Sequence, residues 1–351
     1  MSEPDTDPPQ NRGRTVAVVA GIILAAILGG LIARAFAPGP IAPTDVRRPI
    51  IQLPHSQGTL PSLASTIAGL CPSVATIVPH AAAPGKPARL PASAAILISA
   101  NGWILTSGRL PSGTPLDALF GDGTRAPVSD VRTDPVSGLT VARVTAQSDP
   151  DPLILSDQSF PQVGDFGFAL QSPNGTGCTA ASSMLSSDFL VDGGGNAISL
   201  RLQQDVGPMA PGTPVFSTDA EVIGIAMDGA LDTLIPAPIA AIIVDELIRN
   251  SPTPLLAYGF RAIDLSPNLA TRLRDIRARG VAVAIVQPRS SVDRAGLRAG
   301  DIVTAVDNSP VASASELSRA LDAATGPAIL TIVRGSSQLT MKVSRSLAGT
   351  A

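Results

Sequence analysis

The chain has 351 residues, 44% of them apolar and 15% charged, with a formal net charge of −3. That length suggests two domains plus appendages, with enough apolar residues for real cores. With Lys86 and Lys342 as the only lysines there is no basic stripe, which argues against a nucleic-acid partner. The 32 glycines and 33 prolines favour loop-rich β structure over a helical bundle. The two cysteines, Cys71 and Cys178, form no metal motif, and no metal set or cofactor is expected.

Residues 1–14 are polar and Pro-containing and read as a disordered cytoplasmic tail. Thr15–Ala33 carries no charge. At about 1.5 Å per residue it nearly spans a hydrocarbon core of about 30 Å, so 15–36 is expected to be a transmembrane anchor. A cleavable signal peptide is the rival, since Ala33-Arg34-Ala35 has a small-x-small form. The anchor implies an inner-membrane protein with its globular part outside the cytoplasm. Residues 37–61 hold prolines 38, 40, 43, 49, 54 and 61 and read as a stiff spacer containing His55.

From Leu63 short apolar runs alternate with Gly, Pro and Asn breaks, the pattern of a β-barrel or sandwich over 62–251. Expected strands are 73–78, 93–99, 103–106, 128–131, 139–144, 167–170, 197–202, 214–216, 222–226 and 233–235. Asn101-Gly102 is a hairpin turn. Asp192–Asn196 is another turn, and without a following helix it is no phosphate cradle. Pro238–Asn250 predicts a helix with Ile239, Ile242, Ile243 and Leu247 on one face. Ser251-Pro-Thr-Pro254 then marks a boundary. Residues 252–351 read as a mixed unit, with strands at 281–286, 301–306, 328–333 and 338–343, a helical turn at 290–296 and an amphipathic helix at 313–324.

Motifs sharpen this outline. The run from Val286 to Val303 contains Pro288, Ser290, Ala295-Gly296-Leu297 and Gly300-Asp301. It resembles the PDZ domain of HtrA-type proteases. The region 63–250 resembles the trypsin-like barrel pair of the same family. The carrying segments are Ile98–Thr106, Asp134–Leu139, Gly164-Asp165, Glu221–Ile225 and Leu234–Pro236. The resemblance implies a mostly β fold: an N-terminal transmembrane helix, a trypsin-like double β-barrel, then a C-terminal α/β PDZ domain. It also implies that Tyr258-Gly259-Phe260 is a carboxylate-binding loop. A peptide would add between Phe260, Arg261, Ala262 and the helix of Leu317 and Leu321, with Arg261 either adding charge or lying in solvent.

The same alignment places Arg109 where the family has its catalytic histidine, Gly138 where it has aspartate and Pro211 where it has the serine nucleophile. Arginine stays protonated and cannot act as the base. Proline offers neither hydroxyl nor N–H. A triad needs base, orienting acid and nucleophile together. His80, Ser217 and Cys178 are weaker substitutes: His80 lies in a Pro/Ala loop, Ser217 in a turn, and no histidine aligns with Cys178. The expected function is therefore a membrane-anchored pseudoprotease that binds protein C-termini or unfolded polypeptide as scaffold, sensor or regulator in protein quality control. Two alternatives stay open: an active serine endopeptidase with a non-standard site, and a regulatory subunit in a homo- or hetero-oligomer. A Cys71–Cys178 disulfide would suit an exported domain, but their separation is not fixed by sequence.

Overall fold

A computed structural model of the chain describes residues 62–80, 93–145, 150–156, 160–191, 195–203, 209–227, 232–273 and 279–345. The expected tail, anchor and spacer, with His55, lie outside these residues. Among the described residues no helix is long and apolar enough to cross a membrane.

The described chain begins with a helix, α1 (Leu63–Leu70), in place of an immediate strand. The Ser62 hydroxyl caps it by accepting the Ser65 N–H at 3.2 Å. A single 3-10 turn, Cys71–Ser73, leads into the first barrel. Its strands are β1 (Val74–Pro79), β2 (Ser93–Leu97), β3 (Trp103–Ser107), β4 (Leu116–Phe120), β5 (Arg125–Thr133) and β6 (Leu139–Val144). They close in the order β1-β2-β3-β6-β5-β4, which leaves no free edge. Ala75, Ala95, Ala118 and Ala142 make room inside for Ile77, Leu97, Ile104 and Phe120. The β2–β3 connection passes through Gly102 at φ +81°, where a Cβ would lie 2.1 Å from the Val144 carbonyl oxygen. Only glycine fits that approach.

The second barrel repeats the topology. Its strands are β7 (Phe166–Gln171), β8 (Thr179–Val191), β9 (Ile198–Leu202), β10 (Pro214–Ser217), β11 (Val222–Ala226) and β12 (Thr233–Pro236), closed as β10-β11-β12-β9-β8-β7. Phe168 and Phe216 stack at 5.4 Å between ring centroids in the core shared by the two barrels. Such a pair is worth about 0.5–1.5 kcal/mol beyond its buried area.

Helix α2 (Ala237–Arg249) follows. Pro238 occupies its first turn, and Asn250 in the left-handed region ends it. Ile239, Ala240, Ile243 and Val244 are buried. Ile242, expected on the same face, is 44% exposed, because the buried stripe is centred between 239 and 244 and leaves 242 on its flank.

A 3-10 turn, Pro254–Ala257, opens the last unit. It continues as β13 (Phe260–Asp264), α3 (Pro267–Arg272), β14 (Val281–Val286), α4 (Ser291–Arg294), β15 (Ile302–Val306), β16 (Ser309–Pro310), α5 (Ala314–Ala323), β17 (Ala328–Arg334) and β18 (Ser337–Val343). The sheet runs β13-β14-β15-β17-β18, with β16 on β15. β13 is therefore an edge strand. The Ser313 hydroxyl caps α5 by accepting the Glu316 N–H at 3.2 Å, and Glu316 reaches back to the Ala312 N–H at 2.8 Å, much like a capping box. Asp301 of the Gly-Asp motif is structural. It takes Arg334 in two hydrogen bonds and accepts the Arg298 N–H. The hydrogen bonds that Arg334 donates to Asp301 raise its pKa above the ordinary value, against a smaller opposing effect of burial.

Candidate functional site

The fold brings together the segments that hold Arg109, Gly138 and Pro211. The Gly108 N–H donates to the Gly138 carbonyl at 2.9 Å, and the Ala94 N–H donates to the Pro211 carbonyl at 2.8 Å. Gly212 has φ +83°, and a Cβ there would lie 2.2 Å from the Ala94 oxygen and 2.9 Å from the Ser107 nitrogen. The Pro211 loop is thus pressed against β2 and the end of β3. The Thr213 N–H and hydroxyl both bond the Ala210 carbonyl, at 3.1 and 2.7 Å. Pro211 can donate no amide toward a developing oxyanion. Arg109 is exposed.

The substitute nucleophiles are occupied elsewhere. Cys71 and Cys178 form a disulfide with a Cα–Cα distance of 5.8 Å, so Cys178 is no thiol and the open question of the bridge is answered. Gly121 lies against it; a Cβ there would be 2.5 Å from the Cys71 sulfur. The Ser217 hydroxyl accepts the Asp219 N–H at 3.2 Å inside the β10–β11 turn. The His80 Nδ1 lies 3.0 Å from both Asp117 carboxylate oxygens, and Asp117 also receives Arg125. This cluster closes the β1 and β4 ends, since Arg125 also donates to the His80 carbonyl at 2.6 Å.

In the C-terminal unit, Gly259 has φ +85°, and a Cβ there would lie 2.4 Å from the Ser290 Cβ. The tight turn expected of it is present. Its amide, however, is used internally: the Gly259 N–H donates to Leu255 and Leu256 carbonyls at 3.1 and 3.0 Å. The Tyr258 N–H donates to Leu255 O at 3.0 Å and the Leu256 N–H to Thr253 O at 3.1 Å. Tyr258, Phe260, Leu317 and Leu321 are fully buried together in the unit's core, and Ala262 is nearly so. The Tyr258 hydroxyl donates to Leu321 O at 3.1 Å. Tyr258, Phe260, Leu317 and Leu321 pack on one another and are not among the residues that line the groove beside β13. The Thr253 and Ser318 hydroxyls, 3.1 Å apart, tie the 3-10 turn to α5.

Arg261 corrects an expectation. It does not wait for a peptide carboxylate; it is 4% exposed and faces the barrels. Its Nη2 donates to Asp134 Oδ1 at 2.7 Å, and its Nη1 pairs with Glu246 of α2. Burial pulls the guanidinium pKa down, but the two carboxylates and their hydrogen bonds more than reverse that and leave it raised. Asp134 also accepts the Ser137 N–H at 2.8 Å and the Ser137 hydroxyl. Two further contacts fix the same seam. The Val286 N–H donates to Asn196 O at 2.6 Å beside an Ala197–Ile285 bridge, and Arg272 donates to Phe160 and Pro161 carbonyls at 3.0 and 2.8 Å. Sequence reasoning used Asp134 only as a landmark and Asn196 only as a turn residue. The one usable signal was an aspartate at a position the motif keeps apart from the catalytic one.

Between β13, α5 and α2 lies a groove of about 1000 Å³. Ile242, Pro252, Ala262, Asp264, Ser315 and Ser318 are among its lining residues. The exposed Ile242 gives it an apolar wall. Asp264 faces it from the end of β13 and accepts the Ala314 N–H at 2.6 Å.

A barrel pair followed by a five-strand path with a short side strand is the architecture of a trypsin-like peptidase domain joined to a PDZ domain. The family models agree: a trypsin-like peptidase domain matches residues 92–225 and a PDZ domain matches 283–334. A probable periplasmic serine endoprotease DegP-like from Rhizobium meliloti is 26% identical over 232 residues, 63% of this chain and 46% of that protein. The periplasmic serine endoprotease DegP of Escherichia coli is 25% identical over 244 residues, 64% of this chain and 50% of that protein. The chain spans about half the length of the curated relatives it matches. A solved structure of the HtrA-type protease AlgW with a decapeptide superposes with a TM-score of 0.51 at 19% identity, over 82% of this chain and 99% of that one. At that identity the likeness concerns the fold alone. These findings identify the chain as HtrA-type, a trypsin-like peptidase domain followed by a PDZ domain.

Proposed function

We propose that this chain is an HtrA-like pseudoprotease, held at the membrane outside the cytoplasm, that captures polypeptide through its PDZ domain. It would act as scaffold, sensor or regulator in protein quality control. The observation that carries the reading is the Pro211 loop. Where the family's nucleophile belongs there is a ring without hydroxyl or N–H, and its carbonyl is bonded to Ala94. Arg109 and Gly138 supply neither base nor orienting acid. The disulfide supports an oxidising compartment, in keeping with relatives described as periplasmic. Polypeptide capture is supported by the PDZ match, by the peptide in the AlgW structure and by the groove with its exposed Ile242. Loss of a whole triad costs about 10⁶ in rate. The test is fluorophosphonate labelling of the purified chain with casein turnover in parallel. No labelled serine and no cleavage is the expected result. A labelled serine would overturn the reading and restore the endopeptidase.

A further inference from the structure

The groove beside β13 differs from a site built to hold a chain terminus. Such a site needs free amide donors converging on an anion, or an unpaired cation. In the Thr253–Gly259 turn, the amides of Leu256, Tyr258 and Gly259 are bonded to carbonyls of the same turn, and the Leu255 amide lies 3.5 Å from the Thr253 hydroxyl. Tyr258, Phe260, Leu317 and Leu321 fill the adjoining core, and the Tyr258 hydroxyl is bonded to Leu321 O. The two arginines that line the groove are committed: Arg249 pairs with Asp245 at 2.8 Å, and Arg261 with Asp134 and Glu246. Asp245 and Glu246 are the partners of those arginines, which leaves Asp264 as the lining carboxylate with no arginine against it among the described residues. The field in the groove is therefore acidic, and Asp264 is exposed within it. It repels a terminal carboxylate and attracts a basic side chain.

We propose that the groove takes an internal, extended segment of unfolded polypeptide that carries a basic side chain, and does not select a free C-terminus. The segment adds as a strand along the edge strand β13, lies between α5 and α2, and sets apolar side chains against Ile242. Because α2 belongs to the barrels, both domains contribute walls. This inference rests on the polypeptide-capture reading above and narrows it.

The test uses the whole chain and fluorescence anisotropy. The probes are a decapeptide of alternating alanine and valine with one central arginine, as free acid and as amide, and the amide with glutamate replacing the arginine. Reduced, carboxymethylated lactalbumin serves as an unfolded competitor. Free acid and amide are expected to bind alike, lactalbumin to compete, and the glutamate peptide to bind about tenfold more weakly. Asp264→Asn keeps an acceptor for the Ala314 N–H but should remove the preference for arginine. Ser315→Trp, at an exposed position on the groove wall, should abolish binding without unfolding the domain. If the free acid binds tenfold or more tightly than the amide, the internal-segment inference falls while polypeptide capture stands. If Ser315→Trp binds like the parent, the ligand lies elsewhere and the inference falls. If neither peptides nor lactalbumin bind, capture itself falls.

Discussion

The seam between the two barrels and the seam between barrels and PDZ domain carry polarity in different forms. At the first, the contacts are main-chain hydrogen bonds: Ala94 of β2 donates to Pro211 across it, and within the first barrel Gly108 donates to Gly138. At the second, a buried guanidinium meets two carboxylates. One loop serves both: Asp134 at its start turns toward Arg261, and Gly138 near its end accepts the Gly108 N–H. Buried charge is costly unless paired, and a pair tolerates little movement. The difference puts the charged contact, the one most demanding of geometry, where the PDZ domain docks on the barrels. That makes the position of the PDZ domain the sensitive quantity.

Removing Arg261 should have the largest effect. Arg261→Ala strands the fully buried Asp134 without its charged partner and leaves it only the Ser137 bonds. Breaking a buried pair from one side costs about 3–5 kcal/mol. The expected readout is an earlier first unfolding transition, with faster hydrogen exchange in β13 and α3 than in β3. A loss below about 1 kcal/mol would mean the pair behaves as a solvated surface bridge, and the contrast between the seams would collapse.

The barrel seam can be broken through Gly212. Gly212→Ala forces a Cβ to within 2.2 Å of the Ala94 oxygen at a positive φ. Left-handed strain and overpacking together suggest a cost of roughly 2–4 kcal/mol. Hydrogen exchange should speed up in β2 and β10 while β13 keeps its protection. Loss of protection in β13 as well would show that the two seams are not independent.

Much of this architecture is visible in the sequence where one rule acts alone. The strands at 139–144, 222–226 and 281–286 are dominated by apolar residues, interrupted only by Thr140, Arg143 and Gly224, and lie at those same residues. The helix at 313–324 encloses the observed Ala314–Ala323, because Ser313 and Glu316 mark its start. β8 was not legible. TAASSMLSSDFLV has little apolar pattern, and barrel closure pairs it on both edges, with β7 and β9. β4 was hidden by Asp117, a buried charge in mid-strand whose partners His80 and Arg125 come from neighbouring segments. The expectation for Arg109, Gly138 and Pro211 could be drawn from local motifs, since each motif keeps its own spacing. The Arg261–Asp134 pair could not, because 127 positions separate the two and no local pattern relates them. Arg261 beside Gly259-Phe260 reads more readily as a ligand for a carboxylate, and the structure turns it to the barrels.

The smallest effect tests whether α2 is the element that couples the seams. Arg132 of β5 donates to the Leu247 and Ile248 carbonyls at 2.9 Å each, at the C-terminal end of α2. It also pairs with Asp130 and lies 5.0 Å from the Trp103 ring centroid. A cation on helix-terminal carbonyls and over an aromatic face contributes about 0.5–1 kcal/mol from each source. Arg132→Met should therefore cost about 1–2 kcal/mol by chemical denaturation. Arg132→Lys should recover only part, since a lysine ammonium cannot span two carbonyls and stack as a planar guanidinium does. Glu246, the partner of Arg261, lies on the same last turn of α2. Once Arg261→Ala has loosened that turn, Arg132→Met has less to remove. The double variant should fall short of the summed losses by about 0.5 kcal/mol or more. Strict additivity would mean that α2 holds each seam separately, and that displacing the PDZ domain leaves the barrel seam unaffected.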